Sequence, residues 1–151
     1  MRLKKRTAFV AVLAGGCALG LAQVVGAPAT ERNLTKKEVL DLYEGKSWFW
    51  EKGIAFFAAK SQFNAFSEEG KDRSTVAGDW EALDDGRMCF SGVWTAKSWR
   101  RFARTCFAHK SKDGQIYQRR LPKGEWYVFR HEPAQEGDQK LVPGDQTKRS
   151  D

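Results

Sequence analysis

Between Gly45 and His131 the chain alternates short aromatic-rich segments with turn residues, and the connections are only a few residues long. Neighbouring parallel strands need a crossover of a dozen residues or more, so such a chain can pair its segments only in antiparallel fashion. The segments at 46–51, 53–58, 62–67, 74–83, 87–94, 104–110, 115–121 and 125–131 read as strands, carrying among others Trp48, Phe57, Phe63, Trp80 and Trp94. Asp84-Asp85-Gly86 and Lys112-Asp113-Gly114 read as tight turns, because Asp and Gly tolerate the positive φ that hairpins need. Seven or eight such strands predict a mainly β fold: an antiparallel meander curled into a small barrel or half-barrel.

A helix precedes the strands. Thr35 and Glu38 have the spacing of a capping box, Leu34 and Val39 that of a hydrophobic staple, and Gly45 can end the helix in the left-handed region. The pattern predicts a helix within 30–45, with Val39, Leu42 and Tyr43 on one face, packed across an open end of the barrel. After Glu132 the chain is polar and contains Pro133, Gly137, Pro143 and Gly144, so residues 133–151 read as a disordered tail. The whole chain of 151 residues suits one domain.

The first 29 residues carry a different message. Arg2, Lys4, Lys5 and Arg6 precede an apolar stretch, and no acidic residue occurs before Glu31. Small residues at Ala27 and Ala29 complete the pattern of a secretory signal peptide cleaved after Ala29. An uncleaved membrane anchor is the competing reading, disfavoured by Gly15, Gly16, Gly20, Gly26 and Pro28. A lipoprotein anchored at Cys17 is a second alternative. Export predicts a periplasmic or secreted domain over residues 30–132. Cys89 and Cys106 then remain as an even pair in an oxidising compartment, which suggests one disulfide rather than two buried thiols; their spacing does not suit zinc.

Charge must be read without the leader. The full chain has a net charge of +7, and the chain from residue 30 has +3. The high isoelectric point is therefore poor evidence for nucleic-acid binding. What stands out is segregation: residues 30–86 carry a net −4 and residues 87–130 a net +9. The basic segment interleaves Lys97, Trp99, Arg100, Arg101 and Arg104, followed by Arg119, Arg120 and Arg130. Arginine pairs with phosphate or carboxylate in bidentate fashion, and an indole suits a wet–apolar boundary. The competing reading makes Trp94 and Trp99 core or barrel-mouth residues whose arginines balance the acidic half. Signals for catalysis are weak. A His109–Asp79–Ser91 triad can be drawn, but no nucleophile elbow supports it. Asp84 and Asp85 are better explained by the turn, both histidines read as strand-end surface residues, and no cofactor or metal motif is present.

The order Val39-Leu40-Asp41-Leu42-Tyr43, Gly45-Lys46, Trp48, Gly78-Asp79-Trp80, Asp85-Gly86-Arg87-Met88-Cys89, Trp94 and Cys106, with a final aromatic strand, spans about residues 34–130. In this the chain resembles the small exported bacterial proteins of domain-of-unknown-function family 995. The resemblance implies export and a disulfide, and it transfers no activity. The expectation is a non-enzymatic cell-envelope protein. Its basic–aromatic segment would bind an anionic glycan, lipid head group or protein partner. The alternatives are an apolar-ligand carrier lined by Trp48, Trp50, Phe56, Phe63 and Trp126, and a hydrolase inhibitor using the loop between the cysteines.

Overall fold

The computed structural model describes residues 30–69 and 72–149. The expected leader, its cleavage after Ala29 and the lipidation alternative at Cys17 lie outside the described residues. The chain runs through β1 (Arg32–Asn33), α1 (Lys36–Tyr43), β2 (Lys46–Trp50), β3 (Gly53–Phe57), β4 (Gln62–Ser67), β5 (Ser74–Ala82), β6 (Arg87–Thr95), β7 (Arg100–Lys112), β8 (Gln115–Arg120), β9 (Tyr127–His131) and β10 (Lys140–Pro143). One antiparallel sheet has the order β10-β2-β3-β4-β5-β6-β7-β8-β9, with β1 added to β7. The fold is the expected β meander with one short helix, curled into a half-barrel. Its two outer strands approach each other, and Gln139 N–H donates to Phe129 O across the gap (2.9 Å).

Turn chemistry fixes the pairing. Asp113 and Gly114 have φ of +52° and +69°, which joins β7 to β8 through two residues. Gly86 (φ +82°) closes the β5–β6 hairpin, where a Cβ would lie 2.8 Å from Leu34 O. Curling is permitted where Gly78 stands opposite Gly92. A Cβ on Gly78 would meet Ser91 O at 2.0 Å, so the two strands cross too closely for any side chain.

The helix starts where the capping box predicts. Glu38 N–H donates to Thr35 Oγ1 (3.3 Å), and Thr35 N–H donates to Glu38 Oε2 (2.8 Å). Arg32 adds an ion pair to Glu38 (2.6 Å). These bonds from Arg32, then the Thr35 side chain and backbone, hold the Glu38 carboxyl down at about 2. The helix is shorter than the 30–45 window because Thr35 caps it and Arg32–Asn33 pairs with β7 instead. Val39, Leu42 and Tyr43 are buried beneath it.

Aromatic rings dominate the core. Phe57 packs edge-on against Trp80 (5.4 Å between centroids) and Tyr43 (5.1 Å). Trp48 on β2 reaches across to Phe107 on β7 (5.2 Å) and Phe129 on β9 (5.7 Å). Cys89 and Cys106 are directly opposite in the β6–β7 register and form the disulfide, with 4.1 Å between Cα atoms.

The tail expectation is corrected. Residues 140–143 form β10, which pairs with β2 from Lys140↔Phe49 to Pro143↔Lys46, and a short 3-10 helix follows at Thr147–Arg149. Leu141 packs against the core, and Ser47 Oγ donates to Gly144 O (2.8 Å). The open edge of β2 supplies the pairing that an isolated Lys-Leu-Val-Pro segment lacks.

Candidate functional site

Along β6 and β7 successive side chains alternate between the inside and outside of the half-barrel. Trp94 and Phe90 of β6 and Arg101, Ala103, Thr105 and Phe107 of β7 face inward. There they meet Trp48 and Trp50 of β2, Ala55 of β3, Phe63 of β4 and Arg120 of β8 around a cavity of about 370 Å³. Ser67, Glu69, Ser74 and Trp99 complete its wall. Phe63 and Phe90 stack at 4.5 Å and form part of the apolar wall. The polar groups Arg101, Arg120 and Glu69 lie among these rings, two cations against one carboxylate. Arg101 also sits over the Trp99 ring, 5.6 Å from its centroid.

The residues singled out by sequence separate into four places. Trp99, Arg101 and Arg120 come together at the cavity. Arg120 reaches it because it stands opposite Phe107 in the β7–β8 register. Lys97, Arg100 and Arg104 lie exposed on the same hairpin, and Arg104 bonds Glu81 at 2.5 Å. Arg119 faces away, against the Trp126 ring at 4.9 Å, and Arg130 lines a separate mixed-charge pocket with Arg32, Glu38, Asp41, Lys46 and Glu132. Among the expected carrier rings, Trp48, Trp50 and Phe63 line the cavity. Phe56 and Trp126 do not: Phe56 alternates with the buried Ala55 and Phe57, and Trp126 lies under the cations of Lys110 and Arg119. Trp94 and Trp99, core or barrel-mouth residues in the competing reading, both line the cavity. Phe90, Thr105 and Phe107 were not singled out; period-two alternation along β6 and β7 finds them once the strands are placed.

Further along β7, two residues beyond Phe107, lies a buried polar cluster. His109 is 1% exposed, which corrects its reading as a surface residue. Its Nδ1 lies 3.0 Å from Gly86 O and takes the donor role there. Its Nε2 then accepts from the Tyr43 hydroxyl (2.8 Å). Gln118 Nε2 donates to Tyr43 Oη (2.6 Å), and the Tyr127 hydroxyl donates to Gln118 Oε1. Burial pushes His109 down to about 4 and the Tyr43 hydroxyl well above its ordinary range. Both ring nitrogens are thus engaged by Gly86, Tyr43 and Gln118, and the paper triad with Asp79 and Ser91 is not assembled. His131 pairs instead with Asp138 (2.7 Å). Among the described residues no three His, Cys, Asp or Glu side chains converge as metal ligands.

The family's sequence profile matches residues 10–147, nearly the whole chain. The chain belongs to DUF995, a family of proteins of unknown function. No curated protein and no solved structure gives a significant match. This DUF995 member is a disulfide-bonded β half-barrel.

Proposed function

We propose that this protein is an exported, non-enzymatic envelope protein that holds a small amphipathic anion. The apolar body would lie among Trp48, Trp50, Phe63, Phe90, Trp94 and Phe107, and the anionic group would meet Arg101 and Arg120. The cavity carries this proposal: about 370 Å³, walled largely by aromatic rings, with two guanidinium groups in its lining. Small-ligand sites have this build, a concave apolar surface of about 300–1,000 Å³ with a few polar groups that fix orientation. The proposal joins the anionic-ligand and apolar-carrier expectations, because the cations and the rings share one wall. Export is supported by the basic, apolar and small-residue succession before Thr30 and by the disulfide.

Titration with dodecanoate and with an anilinonaphthalene sulfonate dye tests the ligand class. Saturable one-site binding is expected, about tenfold or more weaker in Arg101→Ser or Arg120→Ser, since a charge-assisted bond contributes about 1.5–3 kcal/mol. Equal affinity for dodecanol and dodecanoate, or no saturable binding, would overturn the reading. Intact mass of envelope-derived protein, before and after reduction, tests export; a mass corresponding to residues 30–151 is expected, and retention of residues 1–29 would contradict it.

A further inference from the structure

The face of the β6–β7 hairpin opposite the cavity has no role in holding a ligand there, yet it exposes two large apolar side chains. Val93 and Phe102 stand directly across from each other in the register, so their side chains lie together on the outer face. Val93 is 42%, Phe102 66% and Trp99 40% exposed. These are three of the five exposed large hydrophobic residues found among the described residues, and all three belong to one hairpin. Burying a ring side chain such as Phe102 is favourable by about 1.5–3 kcal/mol, so leaving it in water forgoes that gain.

Cations surround these rings. Residues 93–104 contain Lys97, Arg100, Arg101 and Arg104 and no acidic residue. Arg104 is held by Glu81, while Lys97, Arg100 and Arg101 make no ion pair among the described residues. Asp72 accepts from Ser98 Oγ of the turn at 3.0 Å, and Glu69 lines the cavity with Trp99 and Arg101. The hairpin is also free on one flank. The β7–β8 ladder begins at Phe107↔Arg120, so, among the described residues, 100–105 of β7 pair with β6 alone. The turn is closed by Ala96 N–H donating to Trp99 O (2.9 Å), which fixes Trp99 at the tip.

We propose that this hairpin docks the protein on an anionic phospholipid surface, with Trp99 and Phe102 entering the interfacial zone and Lys97, Arg100 and Arg101 meeting the phosphates. Rings beside cations suit such a surface, because an indole settles at the wet–apolar boundary and each nearby Lys or Arg adds about 1 kcal/mol of attraction. A protein partner would more often present carboxylates to arginine and would bury the rings in a fixed pocket. Trp99 and Arg101 belong to both the outer tip and the cavity wall. Docking would therefore set the cavity's rim against the bilayer, where an amphipathic anion can pass between the two. That last step rests on the cavity function proposed above; the docking itself does not.

Co-sedimentation of the protein with vesicles of phosphatidylglycerol and phosphatidylcholine in equal parts tests the docking. Binding should be salt-sensitive and should be lost on pure phosphatidylcholine vesicles. Phe102→Ser should weaken it about tenfold or more, and Lys97→Ser or Arg100→Ser about fivefold each. Phe102 is exposed and its replacement leaves the core untouched, so the variant remains folded. The same three variants should keep the affinity of the parent protein for dodecanoate in the absence of vesicles. No binding to the anionic vesicles at low salt, or equal binding by Phe102→Ser, would overturn the docking and leave the cavity reading standing. Vesicle binding without dodecanoate binding would refute the cavity reading alone.

Discussion

Protonation of His109 should decide how this protein loses stability in mild acid. Its ring is 1% exposed, Nδ1 is committed to Gly86 O, and Nε2 accepts from Tyr43. A second proton on Nε2 would break the bond from Tyr43 and leave a buried charge facing two donors. Burial accordingly lowers the folded pKa to about 4, against about 6.5 in an unfolded chain. Between those values the unfolded state binds more protons, so stability falls as the pH falls. The contribution is fully present above about pH 6.5, about 2 kcal/mol of it is gone by about pH 5, and about 3 kcal/mol is gone below about pH 4. Glu38 and Asp138, both lowered to about 2 by the bonds they accept, lose their own contributions in a different window. An unfolded carboxyl titrates near about pH 4, so theirs begins there and runs downward. Urea denaturation at several pH values between about pH 7.5 and about pH 5 measures the effect. The parent should lose about 2 kcal/mol across this range, whereas His109→Gln, which does not titrate, should be less stable at neutral pH but nearly flat with pH. A flat parent profile, or the same slope in His109→Gln, would show that His109 does not set the acid response.

Two further perturbations follow from the sheet. Replacing Cys89 and Cys106 together by Ala opens a cross-link with a sequence separation of 17. The loop-entropy estimate puts the loss at about 3 kcal/mol, seen as a Tm lower by about 10 °C, and reduction of the parent should reproduce it. Gly78→Ala places a Cβ 2.0 Å from Ser91 O, so chemical denaturation should show a loss of about 2 kcal/mol or more; an unchanged midpoint would contradict the close crossing of β5 and β6.

Local chemistry made much of the fold legible. Thr35 and Glu38 announce the helix, and the Asp-Gly pairs at 85–86 and 113–114 announce their hairpins, because each signal is complete within a few residues. What was illegible depends on distant partners. Residues 140–143 become a strand only beside the edge of β2, about 95 positions earlier in the chain. The first residues of β7, Arg100-Arg101-Phe102-Ala103, carry too much charge to read as a strand, and the reason is their place: one side faces an open cavity and the other faces outward. His109 looked like a surface residue because its partners Tyr43 and Gln118 lie 66 and 9 residues away, and only the curl of the sheet brings all three together. The candidate site was half legible for the same reason. The basic–aromatic composition of residues 97–104 is local, but the junction of Arg101 with Arg120 needs the β7–β8 register.

The cavity account is tested most directly by following the indole N–H resonances of the tryptophans by NMR as dodecanoate is added. Trp50 and Trp94 line the cavity and should shift in a saturable way. Trp80, whose indole donates to Ala58 O, and Trp126, which lies outside against Lys110 and Arg119, should remain in place. Shifts confined to Trp126, or no indole responding at saturating ligand, would contradict the account.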